Sequence, residues 1–214
     1  MPQESVSPIE EFSGALEEPA GVYGVELSAH DRLRLSAYYA LVMKWNARLH
    51  LVAPCAPAEF ATRHILESLF LLTYLPRDAR VADVGSGAGL PTLPCLIVRP
   101  DLEAVLIEAS AKKAIFLREA IDQLELKARV VTGRFEKTNA PQVDFVTCRA
   151  LERFQEMLSS LVEWSPARST LLLFGGHNLR ERLEELNLSF VAAPIPHSER
   201  RFLFTVTSDE QIQA

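Results

Sequence analysis

VADVGSGAGLPTLPCLIV, residues 81–98, decides how this chain folds. VADV, apolar apart from Asp83, reads as a buried strand, and Gly85, Gly87 and Gly89 then lead the chain out of it. Leu90-Pro91 opens a short helix that ends near Arg99-Pro100, since proline is tolerated in a first helical turn. Glycines at a strand exit permit positive φ and let a ligand lie against the backbone without meeting a Cβ.

The pattern repeats outward from this unit. EAVLIE (103–108) and ARVVT (128–132) read as strands, joined by a helix that Ser110 caps and that carries Ala114, Leu117, Ile121 and Leu124 on one face. VDFVTC (143–148) and STLLLF (169–174) are further strands, joined by a helix from 151 to about 163 with Leu151, Phe154, Leu158 and Leu161. NLRERLEELN is a helix, and SFVAA (189–193) and RFLFTVT (201–207) are too close together for a helical crossover, so they form an antiparallel hairpin. Strands alternating with helices predict an α/β fold, a mostly parallel seven-stranded sheet with helices on both faces.

Ahead of the sheet, residues 28–76 read as a helical region packed on the core of a domain spanning 77–214. Ser28 caps a first helix with Leu33, Leu41 and Trp45 at helical spacing, and Phe60, Ile65, Leu69 and Leu72 mark a second from about Pro57 to Leu75. Residues 1–27, rich in proline, glycine and acids, are expected to be a partly disordered lead-in.

Composition narrows the functional classes. The 214 residues carry a net charge of −6, unlike a free-standing nucleic-acid binder with a basic surface. No run is long and apolar enough for a membrane span, and MPQESVSPIEEF lacks the basic-then-apolar order of a signal peptide, so a cytoplasmic protein is expected. Cys55, Cys95 and Cys148 form no CxxC pair, and His30, His177 and His197 share no ligand spacing, which predicts neither a metal site nor a disulfide framework.

In an open parallel sheet, ligands bind beyond the carboxyl ends of the strands, where strand order reverses. The second strand ends in Glu108, an acid placed to accept hydrogen bonds from both hydroxyls of a ribose. Asp83, directly before the glycines, would repel a pyrophosphate but attract an ammonium, and no GKS or GKT follows. A ligand with an ammonium, a ribose and no phosphate is S-adenosylmethionine, and the reaction is then methyl transfer. The third strand leads to Phe135 and Glu136, placed to border an adenine, and the fourth ends in Arg149, placed to position an acceptor or hold the cofactor carboxylate. Lys112, Lys113, Arg118, Arg134, Arg200 and Arg201 could form a phosphate-facing strip.

WN (45–46), RHILESL (63–69), DVGSGAGLP (83–91), LIEASAKKAIFL (106–117), GRFE (133–136), VTCRA (146–150) and PHSERR (196–201) together resemble the bacterial glucose-inhibited division protein B family. The resemblance implies a Rossmann-like S-adenosylmethionine-dependent methyltransferase fold with an N-terminal helical extension. It implies methylation of N7 of a guanine in 16S ribosomal RNA within the small subunit, by a monomer that uses no metal and no membrane. Gly85, Leu90, Phe135, Glu136 and Arg149 match cofactor-contact positions, Glu108 fits the ribose acid, and His64 falls on the substrate side. With Asp83, Gly87 and Gly89 these make up the expected cofactor set, and Arg149 and His64 the expected catalytic pair.

Three departures from the family pattern stand out. His50-Leu51-Val52 replaces an Asn-Leu-Thr stretch, Phe174-Gly175 replaces a lysine before a glycine, and Thr92 stands where a glycine is common. The first two fall on the expected substrate face. The residues alone leave open another RNA or a small molecule as acceptor, or a binding module without turnover. A nicotinamide-dependent oxidoreductase is disfavoured, because GSGAG lacks the third glycine spacing of GxGxxG.

Overall fold

The computed structural model describes residues 6–17, 20–149 and 154–207. Seven strands form one sheet in the order β3-β2-β1-β4-β5-β7-β6. They are β1 (Arg80–Val84), β2 (Glu103–Glu108), β3 (Ala128–Thr132), β4 (Phe145–Arg149), β5 (Thr170–Gly175), β6 (Phe190–Pro194) and β7 (Phe202–Val206). The first five pair in parallel, and β7 lies antiparallel between β5 and β6. The predicted hairpin is therefore present, with its second strand inserted next to β5. Chain order reverses between β1 and β4, so the exits of these two strands frame the switch point.

The period of two along each strand sorts its side chains into two cores. Val81, Leu106, Leu172 and Phe174 join the N-terminal helices, α5 (Thr92–Val98) and α6 (Ala111–Gln123) in one. Ala82, Val84, Ile107, Val146 and Leu173 join α7 (Phe154–Trp164) and α8 (His177–Glu185) in the other. Leu151, expected on the α7 face, and the side chain of Phe154 lie outside the described residues.

The lead-in differs from its expected partial disorder. Where described it forms α1 (Pro8–Gly14) and a 3-10 turn (Ala20–Tyr23). Ser7 and Glu10 cap each other's backbone amides, and Pro8 at the first position suits a helix start. Phe12 is fully buried, stacked on Tyr39 at 4.5 Å and packed against Phe60. Proline and acids there signal a capped helix start rather than an unfolded chain.

Helix α2 (Ala29–Leu49) begins at the predicted Ser28 cap. Its buried stripe runs through Leu35, Tyr38, Tyr39 and Val42, whereas Leu33 is 69% exposed. Two residues are about 160° the short way around an α-helix, so Leu33 faces away from Leu35. The predicted second helix is continuous but not uniform. It runs through α3 (Pro57–Phe60), a π-helical turn (Ala61–Leu66), α4 (Glu67–Leu69) and a 3-10 turn (Phe70–Tyr74).

Candidate functional site

At the exits of β1, β2, β3 and β4 lies a cavity of about 700 Å³. Of the residues expected from the sequence, Gly85, Gly87, Leu90, Glu108, Phe135, Glu136, Arg149 and His64 all line it. Asp83 and Gly89 do not, and both have other work in the turn.

The glycine turn is held from both sides. The Gly85 amide donates to Ile107 O at 2.8 Å, and the Gly87 amide donates to Glu108 Oε2 at 2.9 Å. Gly85 and Gly87 adopt φ of 75° and 55°, which aim these amides at β2. Gly89 has φ 84°, and a Cβ there would lie 2.3 Å from Leu93 Cδ1, so its glycine serves the close approach of α5. The hydroxyl of Tyr38, fully buried on α2, donates to Ala88 O at 2.7 Å and buttresses the turn from the helical region. No local sequence signal announces that long-range bond.

Glu108 is oriented as a receiver. Its Oε1 accepts from the Ser110 amide at 2.7 Å while Oε2 accepts from Gly87, which fixes the plane of the carboxylate at the cavity wall. Each oxygen retains acceptor capacity for a further donor. Ser110 thus serves twice, its hydroxyl capping α6 and its backbone amide holding Glu108.

Asp83 corrects the expectation of a cavity-lining acid. The strand period points it to the α5 side, where it is fully buried beneath the turn. Neither carboxylate oxygen has a hydrogen-bond partner, and the Thr92 hydroxyl beside it is equally unpaired. Burial pushes its carboxyl up to about 7, against the weaker pull of the nearby Thr92 and Ser86 hydroxyls. Those hydroxyls and the Thr92 amide lie close enough to act on the charge without reaching full hydrogen-bond geometry. An orphaned buried acid under a cavity suits a cationic ligand above it.

At the β4 exit, Arg149 is committed to the helical region. Its Nη1 donates to Ser68 Oγ at 3.0 Å and to His64 O at 3.4 Å. Its Nη2 donates to Arg63 O at 2.6 Å and to Glu67 Oε2 at 3.3 Å. Both carbonyls lie in the π-helical turn (Ala61–Leu66), and the His64 carbonyl also accepts from the Ser68 hydroxyl. Phe174, where the family pattern has a lysine, lies 5.7 Å from the guanidinium and accepts its charge on the ring face. A lysine there would add a like charge instead.

Glu67, 2% exposed, bridges Arg149 and Arg201, the latter at 2.8 Å. Arg201 is therefore tied to a buried carboxylate while its side chain stays partly exposed, and exposed Arg118 donates to the Thr132 hydroxyl. Lys113 and Arg134 keep cavity-side positions. His64 is half-buried against Phe60, and burial together with Arg149 lowers its pKa to about 4, so the imidazole is uncharged near neutrality.

The donor set fits a ligand with vicinal hydroxyls and positive charge, and offers no anion cradle at Glu108. Comparison with known proteins agrees. Residues 32–204 match the family model described as rRNA small subunit methyltransferase G. A ribosomal RNA small subunit methyltransferase G from Xanthomonas euvesicatoria is 37% identical over 172 residues, which cover 79% of this chain and 73% of the relative. One from Neisseria gonorrhoeae is 39% identical over 155 residues, 72% of each chain. Among solved structures, an S-adenosylmethionine-dependent methyltransferase from Aquifex aeolicus superposes with a TM-score of 0.53 at 18% identity, over 66% of this chain and 89% of that one. TYW2 from M. jannaschii, solved in complex with AdoMet, gives 0.51 at 14% identity over 67% and 73%. The structural likenesses establish a Rossmann-like methyltransferase fold, and the sequence matches go further: this chain belongs to the rRNA small subunit methyltransferase G family.

Proposed function

We propose that the protein binds S-adenosylmethionine in this cavity and methylates N7 of a guanine in 16S ribosomal RNA of the small subunit, acting in the cytoplasm as a monomer without a metal. The observation that carries the reading is one continuous cavity, with an oriented carboxylate, Glu108, at one end and the Arg149–His64 pair at the other. Residues 77–214 then hold the cofactor, and the helical region 28–76 supplies much of the acceptor side.

Bound there, S-adenosylmethionine supplies a methyl group already activated on a sulfonium. Glu108, set by the Gly87 and Ser110 amides, accepts from the ribose hydroxyls. Phe135 and Glu136 border the adenine, and Gly85 and Leu90 line the cofactor's path along the turn. Asp83 acts from below as a charge. At the acceptor end no base is required, because guanine N7 carries an available lone pair and alignment supplies the rate. Arg149 positions that end by tying β4 to the π-helical turn. His64 stays uncharged beside it, so it does not repel the sulfonium. In an A-form helix the deep major groove hides N7, so the target nucleotide is unpaired or flipped out.

The test is transfer of labelled methyl from S-adenosylmethionine to small subunits from cells lacking the modification. The label should reside in 16S RNA and be recovered as 7-methylguanosine. Glu108→Ala should weaken cofactor binding by about tenfold or more in calorimetry, since it removes charge-assisted bonds. Cofactor binding with label in no RNA, or in another nucleoside, would reject the acceptor.

A further inference from the structure

The loop after α2 is built with unusual care for an exposed connection. His50 takes φ 48°, a left-handed position where asparagine is also at home, and it ends the helix. Asn46 Oδ1 then accepts from the Val52 amide at 3.0 Å, which folds the loop back. Trp45 anchors the same turn on α6, donating to Glu119 at 3.2 Å and meeting the Phe116 ring edge-on at 6.1 Å. The result is that Leu51 and Val52, half-buried, line the cavity together with Leu90 and His64.

The polar groups at this end are mostly committed. All four terminal N–H bonds of Arg149 are engaged, and Arg63 pairs with Glu59. The ring nitrogens of His64, by contrast, have no hydrogen-bond partner among the described residues. An anionic acceptor would need a free cation here, and Arg149 does not offer one. A flat, uncharged group would gain an apolar wall and one neutral imidazole, which can both donate and accept.

We propose that Leu51 and Val52, held in place by Asn46, form the wall against which the acceptor purine lies, and that the His64 imidazole hydrogen-bonds the edge of that base. This rests on the reading that the acceptor is an RNA base. It assigns base recognition to the helical region rather than to the sheet, and gives the WN pair at 45–46 a purpose: Trp45 fixes the helix end and Asn46 presents the wall.

The experiment compares the native chain with Leu51→Ala, Asn46→Ala and His64→Phe. For each, calorimetry gives the S-adenosylmethionine Kd, and single-turnover transfer to unmodified small subunits is followed at saturating cofactor. Leu51→Ala and His64→Phe should each slow transfer about tenfold, the scale of one lost base contact. Asn46→Ala should shift transfer in the same direction, and cofactor Kd should stay within about twofold in all three. Native-like transfer by Leu51→Ala and His64→Phe overturns the inference alone. A cofactor Kd that weakens in step with transfer also overturns it, because the wall then belongs to the cofactor. A native chain that binds cofactor and methylates no RNA overturns the acceptor reading and this inference with it. Leu51→Ala keeps the test valid if His64→Phe fails to fold, which a thermal melt of the cofactor-free variant would reveal.

Discussion

Asp83 is placed where a fold alone would not put it. Its carboxylate is fully buried, without a hydrogen bond, beside an equally unpaired Thr92 hydroxyl. A glycine at position 92, common in the family pattern, would lack that hydroxyl. Because burial raises the folded-state pKa to about 7, ionised Asp83 is disfavoured in the fold. The sign follows directly: the folded state holds this proton more tightly than the unfolded chain, so Asp83 lowers stability as pH rises from its ordinary value of 3.8 through 7. A cation bound above it reverses the preference and favours the ionised form. S-adenosylmethionine should therefore bind several-fold more weakly at pH 6 than at pH 8, with proton release at the lower pH. Calorimetry in two buffers of different ionisation enthalpy counts those protons. Asp83→Asn should abolish the release and weaken binding at pH 8, while raising the melting temperature of the cofactor-free protein there. A variant that melts lower at pH 8 and releases the same protons would show that Asp83 is not the group responsible.

At the scale of elements, the N-terminal segment and the π-helical turn do most to distinguish this chain from a bare sheet-and-helix domain. Helix α1 lies over α2 and α3 through the Phe12–Tyr39–Phe60 cluster, and Tyr23 donates to Pro196 O at 3.3 Å in the loop that carries Arg201. Phe12→Ala should destabilise the protein by about 3–5 kcal/mol, the usual cost of removing a fully buried phenyl ring. Cofactor affinity should be unchanged, since Phe12 is absent from the cavity wall; thermal melts and calorimetry on one preparation check both. The capping box at Ser7 and Glu10 was present in the sequence, but acids and prolines read as disorder when taken as composition. Strand positions, the glycine turn and Glu108 were legible because period-two patterning and positive φ leave direct marks on sequence. The Tyr38–Ala88 bond and the Glu67 bridge were not, because each depends on a partner far along the chain. The place of Arg149 at the β4 exit is legible in the sequence, whereas its bonds to the Arg63 and His64 carbonyls exist only in three dimensions.

Across the whole molecule, a net charge of −6 must be reconciled with an RNA partner. The reconciliation lies in which cations are already neutralised. Arg201 and Arg149 share the buried Glu67, Arg80 pairs with Asp144, and Arg99 pairs with Asp101. Lys112, Lys113 and Arg134 stand near or on the rim of the cavity, on the side of α6 and the β3 exit. If phosphate contact is confined to this small face, most of the discrimination must come from fitting a base into the cavity. Binding to small subunits should accordingly show a shallow salt dependence, because each phosphate neutralised contributes a slope of about 0.7–0.9 in log affinity against log salt. Lys113→Gln and Arg134→Gln should each weaken RNA binding and reduce that slope by about one. Arg201→Gln should behave differently. It removes a partner from buried Glu67, so it should lower the melting temperature while leaving the salt slope as in the native chain. Filter binding across a salt series, paired with thermal melts, separates the two classes. If Arg201→Gln flattens the slope without loss of stability, Arg201 contacts phosphate when RNA is bound, and the bridge to Glu67 must open on docking.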